Sequence, residues 1–216
     1  MTDSGLRLLT LLDYSATFAW ASSGAVAGIQ KQFDIVGVFV MALVSSTGGS
    51  LMRDGFFLQR KPPLLTDPVY LPLIAVATTV TILLTRNVKY LPGTNRLIDI
   101  IDALGVPAYA VIGMQLAQTA RVSIPGIVFI GVVNGTGGGL LRDVLVGQVP
   151  ELLRPGHFSA VLLLVVCGLF LFLTMREGYR SDVAASITVG VFLVVRLLTL
   201  RFNWRTRSVG STSGLS

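Results

Sequence analysis

Residues 45–54 read SSTGGSLMRD and residues 134–143 read NGTGGGLLRD. These are two versions of one decapeptide, polar at its start, glycine-rich in the middle and closed by an Arg-Asp pair, and each follows an apolar run. One such segment in a soluble enzyme is a candidate phosphate-binding loop. Two of them in strongly apolar surroundings raise a prior question, which is what solvent they face.

The 216-residue chain is 52% hydrophobic and 13% charged, with a mean hydropathy of +0.75. Soluble domains carry about 25% charged residues, so this chain lacks the polar surface needed in water and reads as an integral membrane protein. Its net charge of +6 lies mostly between apolar runs and near the C-terminus, where cations meet headgroups or set orientation. With no basic face interleaved with aromatics, nucleic acid is not an expected partner. Cys167 is alone in an apolar run, a small filler with no disulfide or CxxC partner. His157, the single histidine, sits beside a Pro-Gly turn, no G-K-[ST] follows the glycines, and GTGGGL breaks the GxGxxG pattern. Metal sites, nucleophilic triads and nucleotide loops therefore have no support; neither an enzyme nor a cofactor is expected.

A bilayer span needs roughly 20 mostly apolar residues. Seven stretches qualify: 11–30, 35–57, 69–85, 98–120, 124–146, 158–175 and 183–200. Short loops with Pro, Gly and charges separate them, and the polar tail 201–216 is expected to be disordered. Arg7 followed by LLTLL superficially resembles a signal peptide, but the segment has a counterpart deeper in the chain and is expected to be retained.

That counterpart comes from an internal repeat. A shift of 89 positions aligns Asp13 with Asp102 and, without a gap, Asp54 with Asp143; identities between them include Gly24/Gly113, Gly37/Gly126, Thr47/Thr136, Gly48/Gly137, Gly49/Gly138 and Arg53/Arg142. Each copy holds three spans, so the second enters the membrane from the opposite face. The expected fold is all-α: a single transmembrane domain over 1–200 made of two inverted three-helix repeats, 11–90 and 98–175, plus a seventh helix at 183–200. Loops on the N-terminal side carry six Lys or Arg and those on the other side eight, which favours a cytoplasmic C-terminus.

Gly pairs and triplets beside Ser, Thr and Asn are expected to break or kink the second span near Gly48, Gly49 and Ser50, and the fifth near Gly137, Gly138 and Gly139. Interrupted helices in inverted repeats mark a midplane pathway. Freed carbonyls, the hydroxyls of Ser45, Ser46, Thr47 and Thr136 and the amide of Asn134 would then offer oxygens to a passing cation. The competing reading is close helix packing through small residues, which also fits the GxxxG matches at Gly24/Gly28 and Gly131/Gly135. A charged side chain inside a bilayer costs roughly 2.5–3.5 kcal/mol, so Arg53 and Arg142 call for a reason. Asp54 and Asp143 balance the charge, but helical neighbours diverge by about 100°. Each Arg is therefore expected to reach a freed carbonyl or lipid phosphate, or else to snorkel. Asp13 and Asp102 read as favouring helix N-termini, or as pathway residues, and Arg196 as snorkelling.

These residues resemble the trimeric intracellular cation (TRIC) channel family, in a prokaryotic form, over about 11–200. GTGGGLLRD is the most specific piece, and STGGSLMRD departs from it at Ser50. The resemblance implies a homotrimer in the inner (plasma) membrane, with one potassium- and sodium-permeable pore per protomer between kinked second and fifth helices. It places the pore at Thr47, Gly48, Gly49, Arg53, Thr136, Gly137, Gly138, Gly139 and Arg142, with membrane lipids, including anionic headgroups, as neighbours. The same bacterial family has also been labelled a glycine transporter, and the alternative function is secondary transport of glycine or another small zwitterion, whose carboxylate would meet Arg53, Arg142 or a half-helix N-terminus. A lipid-binding scaffold is the third reading, and two mirrored polar elements argue against it.

Overall fold

A computed structural model describes residues 3–85, 94–153 and 159–202. In chain order its elements are α1 (Asp3–Gln30), α2 (Ile35–Met52) prolonged by a π-helical turn at Arg53–Phe57, a short α3 (Pro63–Thr66), α4 (Tyr70–Thr85), α5 (Thr94–Thr119), α6 (Ile124–Leu145), a 3-10 turn at Glu151–Leu153, α7 (Ser159–Leu171) prolonged by a second π turn at Phe172–Arg176, and α8 (Ser181–Arg201). The seven expected spans correspond to α1, α2, α4, α5, α6, α7 and α8. Among the described residues three helices are long and apolar enough to cross a bilayer unaided: α2 with its π turn, α6 and α8.

Local signals account for the ends. Asp34 caps α2, its Oδ1 accepting from the Gly37 N–H at 2.7 Å, and Pro125 lies in the first turn of α6, where a missing N–H costs nothing. The helices α1 and α5 stop in the same way. Gln32 and Arg121, 89 residues apart, both adopt φ 57; the next residues, Phe33 and Val122, donate back to Gly28 O and Ala117 O at 3.1 Å each. This is a Schellman-type stop repeated at equivalent positions, so the repeat governs backbone geometry as well as sequence.

Within each repeat the first two helices pair, α1 with α2 and α5 with α6; the hairpins then meet through α2 on α6 and α1 on α5. Helix α4 flanks α1, α7 flanks α5 and α6, and α8 lies along α5 and α7. Apolar packing divides accordingly. Ala21, Ala25, Val38, Ala42, Ile74 and Ala77 fill the first repeat, while Met114, Ile130, Leu163, Phe170 and Phe192 anchor the second against α8. Val76, Leu84, Val165 and Val194 face outward, whereas Thr17, Ser45, Arg53, Asp54, Asn134, Arg142 and Asp143 are buried. An apolar exterior around a polar interior is the arrangement a bilayer selects, because charged groups are tolerated there only when they face protein or water.

Three expectations need correction. The backbone does not break at the glycines: α2 stays helical to Met52 and α6 to Leu145. In hydrocarbon an unsatisfied amide costs several kcal/mol, so glycine keeps its helical bonds, and in α2 the departure from α geometry comes later, at the π turn. Asp13 lies inside α1, which begins at Asp3, so it does not cap a helix. Arg196 does not snorkel; it is 2% exposed. The side chains of Asp99 and Asp102, residue His157, the tail beyond Phe202, and the loop cations Arg86, Lys89, Arg154, Arg205 and Arg207 lie outside the described residues.

Candidate functional site

The two decapeptides meet at the centre of the fold. A Cβ added at Gly49 would collide with the carbonyl oxygen of Asn134, and one added at Gly138 with the carbonyl oxygen of Ser45. Between these contacts, a Cβ at Gly48 would lie 3.4 Å from Gly138 Cα, and one at Gly137 would lie 3.0 Å from Gly49 Cα. Residue numbers rise on α2 as they fall on α6, so the helices run antiparallel, and each contact maps onto its partner under the 89-residue shift. The pseudo-two-fold axis passes through this crossing. The glycines serve backbone-to-backbone approach here, the reading that small residues support in membranes.

From the crossing, Arg53 and Arg142 each lie five residues further along their own helix, a rise of about 7 Å. Because the helices are antiparallel, the two guanidiniums sit on opposite sides of it. Each pairs with its own neighbour. Arg53 Nε and Nη2 donate to Asp54 Oδ1 and Oδ2 at 2.8 and 2.6 Å, and Arg142 Nε donates to Asp143 Oδ1 at 2.9 Å. The expectation that neighbours diverge too far to pair considered Cβ directions alone. An arginine stem is long enough to curl its planar fork back onto the adjacent carboxylate. Arg53 is 2% and Asp54 0% exposed, with Arg60 Nε a further 3.5 Å from Asp54 Oδ1.

The two pairs differ in what they hold across the repeat boundary. Arg53 Nη1 donates to Asn134 Oδ1 at 3.2 Å, Asn134 Nδ2 donates to Tyr109 O at 2.5 Å, and Tyr109 Oη donates to Ser46 O at 2.9 Å. This chain of bonds ties α2 to α6 and α5. On the other side, Arg142 Nη1 donates to Ser23 Oγ at 2.5 Å and its guanidinium lies 5.6 Å from the centroid of the Trp20 ring, a cation–π distance. Trp20 and Tyr109 occupy equivalent repeat positions, so an aromatic accompanies each Arg. Sequence reading passed over this pair because it compared identities only; Ser23 has Ile112 as its equivalent and left no repeat signal.

The hydroxyls expected to serve ions mostly bond their own helix. Ser46 Oγ donates to Ala42 O, Thr47 Oγ1 to Leu43 O and Thr136 Oγ1 to Val132 O, at 2.7–2.8 Å; their lone pairs stay available as acceptors. Ser45 Oγ is buried with no hydrogen-bond partner among the described residues. Asp13 accepts from the Tyr70 hydroxyl, and Tyr14 Oη donates to Asp67 Oδ2 at 2.6 Å, joining α1 to the start of α4. No sequence signal pointed to that clasp, because it depends on which helix α1 meets. A cavity of about 50 Å³ lies on the Arg142 side, lined by Trp20, Thr136, Arg142, Asp143, Phe192 and Arg196 among others, and neither Gly48 nor Gly137 lines it.

Comparison with known proteins locates this architecture. Residues 10–86 and 99–175 each match the family model described as "Glycine transporter". The chain is similar to a UPF0126 membrane protein of Vibrio cholerae serotype O1, 30% identical over 196 residues, which is 91% of this chain and 80% of that protein. It is similar also to the UPF0126 inner membrane protein YadS of Escherichia coli K12, 29% identical over 199 residues, 91% of this chain and 93% of that one. Among solved structures, the crystal structure of a prokaryotic TRIC channel in 0.5 M KCl superposes with a TM-score of 0.82 at 26% identity, covering 92% of this chain and 98% of that chain.

Proposed function

This chain belongs to the glycine transporter family and has the TRIC channel fold of a multi-pass bacterial inner membrane protein, and on that premise we propose that it is a monovalent cation channel passing potassium and sodium. The pathway runs between α2 and α6 of each protomer, and the assembly is a homotrimer, as the word trimeric in the name of the TRIC channels says of them. One observation carries the reading: the glycine crossing is bracketed by two buried Arg–Asp pairs on opposite sides.

In the conformation described, the crossing is shut by backbone contact, and the guanidiniums of Arg53 and Arg142 stand as plugs held by Asn134 and by Ser23. Separation of α2 from α6 would open the channel at the one level where neither helix carries a side chain to obstruct it. Ser45, Thr47, Asn134 and Thr136 then line the gap with neutral oxygens. Each aspartate is already matched by its arginine, so the lining has low fixed charge, which suits fast weak coordination over tight binding.

The family's description favours glycine transport as a second reading, in which a carboxylate would take the place of Asp143 or Ser23 on Arg142. Liposomes containing the purified protein separate the two. Potassium and sodium efflux without saturable uptake of labelled glycine is expected. Glycine uptake that saturates, with no cation leak, would overturn the channel reading.

A further inference from the structure

Three side-chain polar atoms among the described residues are buried without a hydrogen-bond partner: Trp20 Nε1, Ser45 Oγ and Thr188 Oγ1. The 89-residue shift relates the first two. Ser45 is the repeat equivalent of Asn134, and Trp20 of Tyr109. Those equivalents close a loop of bonds on the Arg53 side. Arg53 of α2 donates to Asn134 of α6, Asn134 to the Tyr109 carbonyl of α5, and the Tyr109 hydroxyl to Ser46 O, back on α2. The matching loop would run from Arg142 through position 45 to the Trp20 carbonyl, and from the Trp20 side chain to Gly135 O. It is unmade, because serine stops short where asparagine reaches and the indole N–H lies against Gly105 with no acceptor. Arg142 itself is not short of partners, but Asp143 and Ser23 belong to α6 and α1. Room for the missing link exists, since Gly24 lies against Ser45 as its equivalent Gly113 lies against Asn134.

We infer that Asn134 and Tyr109 are positioning residues whose loop holds the crossing closed from the Arg53 end, and that the unmade loop at Ser45 and Trp20 leaves the crossing able to open. Separation of α2 from α6 must break the bond from Arg53 to Asn134. With a second loop on the other side of the pseudo-two-fold axis, both would have to break together. Bonds between helices in a membrane are strong enough for one of them to shift such an equilibrium severalfold. The consequence for current rests on the channel reading above; the consequence for stability does not.

Two variants of the full-length protein test this in opposite directions. Tyr109→Phe removes the link to Ser46 O and orphans no donor, since Thr17 Oγ1 keeps Asp13 O as an acceptor. In planar bilayers its open-to-closed ratio is expected to rise about three- to tenfold. Ser45→Asn supplies the missing amide, and is expected to lower that ratio by a similar factor. In detergent, Tyr109→Phe lowers the thermal unfolding temperature and Ser45→Asn raises it. Residues that only fill space would move both variants the same way, because each change would then merely disturb the closed packing. Conducting channels whose ratios stay put, or shift in one direction, overturn the inference and leave the channel reading intact. Opposite shifts in unfolding temperature, in a protein that passes no cations, would sink the channel reading and leave the loop standing. Should Ser45→Asn fail to fold, Asn134→Ser combined with Tyr109→Phe decides. Both break one loop, so the double variant raises the ratio by less than the product of the single effects; a full product would overturn the inference.

Discussion

In a Gly138→Leu variant, cation flux falls to background and stability drops by about 3 kcal/mol, the upper end of the usual cost of overpacking. The reason lies in what the new side chain meets. Its Cβ alone would run into the Ser45 carbonyl oxygen, which belongs to the backbone of α2 and cannot rotate away. The remaining leucine carbons occupy the one level at which separation of α2 from α6 would open a path, so the crossing stays obstructed, and the intrusion strains the bonds from Arg53 to Asn134 and from Arg142 to Ser23. Gly168→Leu is the matched control: a Cβ there meets nothing within 4 Å, so the same substitution is expected to leave thermal unfolding in detergent and flux near the unaltered values. A Gly138→Leu protein that folds and conducts normally would move the pathway away from this crossing.

The second large effect concerns Arg53. Arg53→Ala leaves the Asp54 carboxylate fully buried, with only the half-exposed Arg60 at 3.5 Å to answer it, and breaking a buried pair from one side costs about 3–5 kcal/mol. Removing the charge of both partners costs much less, because no uncompensated ion remains. The double variant Arg53→Met/Asp54→Asn is therefore expected to recover most of the lost stability, and, with one plug gone, to pass more current than the unaltered channel. A double-mutant cycle in thermal unfolding checks the first point and bilayer recording the second. Equal destabilisation by the single and double changes would show that Arg53 and Asp54 do not act as a pair.

The helical framework was legible because membrane solvent imposes simple rules. Apolar length marked the spans, and the 89-residue shift marked the inverted halves, down to the matched stops at Gln32 and Arg121. The site was legible in its residues but not in its geometry. Glycine lowers helix propensity in water, so Gly48, Gly49 and Gly137 to Gly139 read as breaks; in hydrocarbon the backbone has no other partner for its amides, and the same glycines became a contact between intact helices. The Arg–Asp pairing was hidden because side-chain reach does not show in Cβ angles. Arg196 read as snorkelling because its position near the end of a span says nothing of the cavity that α1, α6 and α8 build around it. The π turn at Arg53–Phe57, which closes α2 where the buried pair sits, has no sequence signal that we can name.

The most direct measurement is the zero-current potential of the purified protein in a planar bilayer under a potassium chloride gradient, repeated with glycine on one side. Discrete currents reversing near the potassium equilibrium potential, with no shift of reversal when glycine is added, are the expected result. Reversal near the chloride potential, or a reversal that follows the glycine gradient, would contradict a cation pathway between α2 and α6.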